Sequence, residues 1–264
     1  MIRVAIIGNS HVGAYLTARE AIEAAFPLVE LSFFALTRHS FSSCVYDADG
    51  VLSAQEPPKT GLPEKIDLRE VDHILMVGQS FAREGLARLV QDFDVLGLAQ
   101  RARARSVSQA LVTEYLDFRV ERYCRKLARF LREDPRCVVA PAPFPAANMP
   151  ATANTHASWL DHPDADLLTK IWSDAVLWHM SSLKYGVMMQ PDCLLASPGR
   201  SPDMFCRAAS LAEGQTPTAA DFTHMNADYG LAHFTGFAHH WLGLEPGART
   251  TSSSKEHHDG LGSQ

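Results

Sequence analysis

The chain has 264 residues, a formal net charge of −6 and 46% hydrophobic residues. That length fits one larger α/β domain or two small ones with a sizeable core, and the acidic balance argues against a general nucleic-acid-binding surface, which needs a basic face. No apolar run is long enough to span a bilayer and no signal peptide is evident, while Cys44, Cys124, Cys137, Cys193 and Cys206, odd in number and without a Cys-x-x-Cys, suit reduced thiols in a cytoplasmic protein better than a disulfide framework or zinc site.

The first strand follows Met1-Ile-Arg3 at once: Val4-Ala-Ile-Ile is apolar and mostly β-branched. Gly8-Asn9-Ser10 is a tight turn, and residues 12–26 have helical composition, stopped by Pro27. A second buried strand covers 29–36. Residues 37–67 show no helical period and read as an insertion beside the sheet. Within it, Asp47-Ala-Asp-Gly50 looks like a hairpin turn, and 56–63 is a loop. His73-Ile-Leu-Met-Val-Gly78 is the third strand, followed by Gln79 and Ser80.

Two helices are expected next, over 84–98 and 108–132, the longer with an apolar stripe of Leu111, Tyr115, Phe118, Leu127, Phe130 and Leu131. Arg101-Ala-Arg-Ala-Arg105 between them reads as a solvated helix flank. A fourth strand covers 137–140. Residues 141–166, rich in Pro, Ala, Asn and His, form a long loop of the kind that carries function or moves. A helix over 167–185, a fifth strand over 192–196 and a last helix bearing His233, His239 and His240 complete the domain. The tail from 247 to 264 is expected to be disordered. The alternation predicts one domain over 1–246 with a parallel sheet covered by helices on both faces.

In such a sheet, ligands bind beyond the carboxyl ends of the strands, where helix N-termini and backbone N–H groups favour an anion or a developing oxyanion. Ser10 sits in that place. Helix capping by Asn9 or Ser10 is the alternative. A serine nucleophile needs a base, itself oriented by a carboxylate. Asp221 and His224 offer that pair, with Nδ1 toward the aspartate and Nε2 toward Ser10. Asp-x-x-His alone carries little weight; the serine after the first strand and the pair after the last strand make the argument together.

These two ends, Gly8-Asn9-Ser10-His11 and Asp221-x-x-His224-x-Asn226, resemble the SGNH (GDSL-like) hydrolase superfamily. The resemblance implies a flavodoxin-like three-layer α/β/α sandwich with a parallel sheet of about five strands. It implies an esterase or O-acyl (acetyl) transferase acting on a sugar- or glycan-linked ester through an acyl-enzyme, without metal or cofactor. Ser10 would be nucleophile and first oxyanion donor, His224 base and then acid, and Asp221 its orienting partner. Asn9 stands where the family commonly has Asp. After the third strand the family has Gly-x-Asn, but this chain has Gly78-Gln79-Ser80, so Gly78 N–H, Gln79 and Ser80 are the candidate further oxyanion donors. Asn148 or Asn154 on the long loop are substitutes for the missing Asn, Gly50 is a poor match for a further family glycine, and Asn9, His11, Asn148 and Asn154 are candidate substrate contacts. His11 shapes the mouth of the site, caps the helix or faces solvent.

Two other readings compete. A non-catalytic carbohydrate- or protein-binding protein on the same fold explains the altered middle motif. Gly8-x-Ser10-x-x-Gly13 approximates a dinucleotide fingerprint, with Leu36-Thr37-Arg38-His39 after the second strand compatible at best with NADP. The partner expected is a small-molecule or glycan ester, with no nucleic acid or membrane. His233, His239 and His240 have no metal-ligand spacing, and Trp172, Trp178 and Trp241 read as core residues. The sequence does not set the oligomeric state.

Overall fold

The computed structural model describes residues 1–36, 44–56, 61–103, 105–150, 159–211, 215–218 and 220–247. In chain order the elements are β1 (Ile2–Gly8), α1 (Val12–Thr17), α2 (Arg19–Ala25), β2 (Val29–Ala35), β3 (Cys44–Tyr46), β4 (Val51–Ala54), β5 (Lys65–Asp67) and β6 (His73–Gln79). Then come α3 (Glu84–Asp92), β7 (Asp94–Leu96), β8 (Ser106–Ser108), α4 (Gln109–Leu131), β9 (Cys137–Pro141), α5 (Ala165–Ser182), β10 (Gly186–Val187) and α6 (Ala227–Phe237).

Five parallel strands form the central sheet in the order β10-β9-β6-β1-β2. Counting only these strands, the order is 2-1-3-4-5, that of a flavodoxin-like doubly wound sheet. Helices α1, α2 and α6 pack together, as do α4 and α5, giving the expected three-layer α/β/α sandwich. Central strands are buried on both faces and therefore read as unbroken apolar runs: Val4 to Ile7 and Ile74 to Val77 have almost no exposed surface. One contiguous core runs from Val4 to Ala238.

The expected hairpin is present. Asp47 N–H donates to Val51 O, Asp47 Oδ1 accepts from Val51 N–H, and Gly50 takes φ +82°. With β5 it makes a three-stranded antiparallel sheet beside the main one, so Gly50 serves this turn. Of the insertion over 37–67, residues 37–43 and 57–60 lie outside the described residues, as does the tail beyond 247.

Several expectations are corrected. The fifth strand is Gly186–Val187, paired with β9, whereas 192–194 is one 3₁₀ turn following Pro191. Proline fixes φ and cannot donate to a ladder, and two residues are too few to produce a pattern. The helix predicted over 84–98 ends at Asp92, and β7 pairs with β8 instead. The buried carboxylate of Asp94 accepts from the Arg101 and Arg103 backbone amides, so the arginine cluster lies on a loop, not a helix flank. The segment 12–26 is two short helices that meet at Ala18.

In α4 the buried stripe is Val112, Leu116, Val120, Cys124, Leu127 and Leu131. Leu111 and Phe118 are on the opposite, solvent face. The predicted stripe mixed two faces because apolar residues stand on both. Trp172 is core, as read, but Trp178 is exposed. No helix among the described residues is long and apolar enough to cross a membrane.

Candidate functional site

The strand order reverses between β1 and β6, and the turns leaving these two strands meet at one edge. Ser10 leaves β1. Its turn is built by Asn9, whose Oδ1 accepts from His11 N–H (3.1 Å) and whose backbone oxygen accepts from Val12 N–H (3.0 Å). The Asn9 Nδ2 amide reaches across to donate to Gly78 O at 2.7 Å. Asn9 is thus an Asx-turn former and a tie between the two strands; both ends of its amide are engaged within the protein.

That tie needs Gly78. The β6–β9 register slips between Met76 and Gln79, Gly78 takes φ +80°, and a Cβ there would lie 2.2 Å from Asn9 Oδ1. The same imagined Cβ would meet His11 Cδ2 at 2.9 Å. His11 also packs on His224, ring centroids 5.3 Å apart. Its ring therefore fills the corner between Gly78 and His224, which shapes the site mouth, and its side chain makes no capping bond to α1.

Ser10 Oγ and His224 Nε2 are 2.8 Å apart although 214 positions separate them in sequence. The His224 backbone is fixed on both sides: its N–H donates to Ala220 O and its carbonyl accepts from Arg207 N–H, each at 2.8 Å. Two residues on, Asn226 caps α6 by accepting from Tyr229 N–H and donates to Met204 O and Ser210 Oγ. The α1 and α6 helices, which begin just after Ser10 and just after His224, pack directly on each other. A Cβ on Gly230 would lie 2.4 Å from Ala14 O, so only glycine permits this approach.

Asp221 is buried beside them. Its Oδ2 accepts from Thr218 Oγ1 (2.6 Å) and Thr218 N–H (2.9 Å), and its Oδ1 faces Arg207 Nε at 3.2 Å. Thr218 above all, then Arg207 and His224, hold its carboxyl below the usual range. It remains an anion, held by Thr218 and Arg207 and close enough to His224 to feel its charge. The sequence reading missed Thr218 and Arg207; the Thr-x-x-Asp spacing of 218–221 was the available signal.

The β6 side differs. Gln79 is buried, its Nε2 donating to Val77 O (3.3 Å) and its Oε1 accepting from Tyr123 Oη (2.9 Å). Ser80 also bonds Tyr123, whose phenol is pushed up to about 12, chiefly by burial. The Gln79 amide is thus bonded at both ends within the protein. Ser80 O accepts from Arg83 N–H across Phe81 (φ +44°) and Ala82 (φ +58°), a type I′ turn without its usual glycine. Such backbone costs about 1–3 kcal/mol per residue and persists only where surroundings fix it. Here Phe81 is fully buried, its carbonyl accepts from Trp172 Nε1 (3.1 Å), and Arg83 donates to Ala142 O and Pro143 O.

The loop after β9 joins the same edge, Ala146 N–H donating to Phe222 O. Asn148 is exposed and its backbone N–H donates to Asp203 Oδ1; Asn154 lies outside the described residues. Of the other histidines, His233 is buried with Nδ1 2.9 Å from Tyr15 Oη, and burial lowers its pKa to about 3. His239 pairs with Glu245 and His240 lies against Trp241. No group of three metal-ligating side chains occurs among the described residues. The residues after β2 that bear on NADP lie outside the described set, and Ser10 holds its hydroxyl toward His224 where a dinucleotide fold needs bare backbone.

No family model matches the chain, and no curated protein matches it. A structural-genomics crystal structure of a protein from Lactobacillus plantarum aligns over 90% of this chain and 96% of its own, with 12% identity and a TM-score of 0.38.

Proposed function

We propose that the protein is a serine esterase or O-acyl (acetyl) transferase of the SGNH type. The observation that carries this reading is the 2.8 Å contact between Ser10 Oγ and His224 Nε2 at the switch point of the sheet. Ser10 Oγ attacks the acyl carbonyl carbon while His224 Nε2 takes its proton. The tetrahedral oxyanion is received by the Ser10 N–H, with Gly78 N–H as the second donor; Gln79 and Ser80 side chains are committed to Tyr123. The bond to the alcohol oxygen then breaks and His224 returns the proton to it. Water or an acceptor hydroxyl resolves the acyl-enzyme by the reverse sequence. Asp221, kept anionic by Thr218 and Arg207, stabilises the imidazolium that forms between these steps.

A sugar- or glycan-linked ester is the substrate that the resemblance of the two end motifs implies. The inward-facing Gln79 and Ser80 favour one second reading, a carbohydrate- or protein-binding protein that retains the triad without turnover. Hydrolysis of p-nitrophenyl acetate by wild type and Ser10→Ala protein separates the two. Turnover that depends on Ser10 supports the enzyme. Equal, background-level rates in both proteins contradict it and favour binding.

A further inference from the structure

Five of the nine exposed large apolar side chains among the described residues lie on α4 and α5: Leu111, Phe118, Leu167, Leu177 and Trp178. Phe118 is 57% and Trp178 70% exposed. Leu111, Phe118, Arg122, Arg125 and Arg129 follow one another at helical spacing down the solvent face of α4, opposite its buried stripe. The two helices form one surface: His179 Nε2 meets Asp117 Oδ1 at 2.8 Å, and Trp178 shares a hollow with Thr113 and Asp117. Solvent-facing apolar stripes of this kind mark interaction sites.

We propose that this face joins two copies of the chain about a two-fold axis at Phe118. A two-fold interface must be complementary to itself. Antiparallel α4 helices crossing at Phe118 place residue 118+n against residue 118−n of the second copy. Arg122 then meets Glu114, twice by symmetry. Glu114 and Arg122 are exposed and neither has a side-chain partner among the described residues, whereas their neighbours are already paired, Glu121 with Arg125 and Asp117 with His179. Phe118 lies on the axis between the two Glu114–Arg122 contacts, and Trp178 stands to one side of it on α5. Charges of both signs at the rim fit a second copy better than an anionic bilayer.

Analytical ultracentrifugation of the full chain over a dilution series tests this, with far-UV circular dichroism melts to verify folding. Wild type is expected to be a dimer that dissociates on dilution, and Phe118→Glu a folded monomer. Arg122→Glu or Glu114→Arg alone turns two attractions into two repulsions and weakens the dimer by roughly tenfold or more. The double variant Glu114→Arg/Arg122→Glu restores the contact and recovers affinity to within a few-fold of wild type. A wild type that is monomeric throughout, a dimer indifferent to Phe118→Glu, or single variants not rescued by the double swap would each overturn the proposal.

Discussion

The two sides of the candidate site are built in opposite ways. On the β1/α6 side, polar groups face each other across the cleft: Ser10 meets His224, and Asp221 stays charged behind them. On the β6 side the polar side chains turn away. Gln79 and Ser80 bond Tyr123 in the interior, and a strained turn at Phe81 and Ala82 closes the edge. In the proposed mechanism proton transfer is therefore prepared by side chains, and oxyanion binding is left to backbone N–H groups. Losing one oxyanion donor costs about 10²–10³ in rate, so the difference predicts a working but slow nucleophile.

The largest effects should come from the prepared side. Ser10→Ala and His224→Ala should each lower acyl transfer by a factor on the order of 10⁴ or more, read as p-nitrophenyl ester hydrolysis. Asp221→Asn should cost on the order of 10²–10⁴, since the amide removes the charge near His224 and clashes with a Thr218 donor.

The packing beneath the site comes next. Gly230→Ala forces α6 away from Ala14 O and should cost about 1–3 kcal/mol in urea melts, with slower modification of Ser10. At Gly236 the nearest atom to an added Cβ is the flexible end of Met188, at 3.0 Å. Gly236→Ala should leave reactivity near wild type. Equal losses in both variants would show that the close approach at Gly230 has no special part in holding Ser10 near His224.

The sharpest contrast is Gln79→Ala. It removes the bond to Tyr123 and should destabilise the fold by about 1–3 kcal/mol, yet leave Ser10 reactivity within a few-fold. A hundredfold loss of reactivity in folded protein would show Gln79 to be an oxyanion donor after all.

Acid sensitivity should centre on one buried histidine. Burial keeps His233 neutral, with its pKa near 3, against an ordinary value of about 6.5 in the unfolded chain. Below about pH 6.5 the unfolded state binds the extra proton, so stability falls as pH drops toward 3, by an amount on the order of 4 kcal/mol. Asp221, held low, adds a smaller loss only below about pH 4. His233→Phe should flatten the upper part of that slope in melts between pH 6.5 and 4, although it forfeits the Tyr15 bond.

Much of this was legible in the sequence. The four long strands of the sheet, the hairpin and the approach of Ser10 to His224 follow from apolar runs, turn residues and the topology of a doubly wound sheet. The phase of α4 was not legible, because the apolar Leu111 and Phe118 stand on its solvent face. The two-residue β10 carries no pattern at all. The destination of Gln79 was hidden too, since whether its amide faces the cleft or Tyr123 depends on a bulge at Gly78 that only the paired strands reveal. Gly230 looked like any glycine near a helix start; its role lies in the Ala14 carbonyl opposite.

The central claim is that Ser10 is an activated nucleophile, and fluorophosphonate labelling read by intact mass tests it most directly. Wild-type protein should take up one adduct, slowed strongly in His224→Ala and absent in Ser10→Ala. Folded wild-type protein that takes up no adduct, or an adduct that persists in Ser10→Ala, would contradict the account.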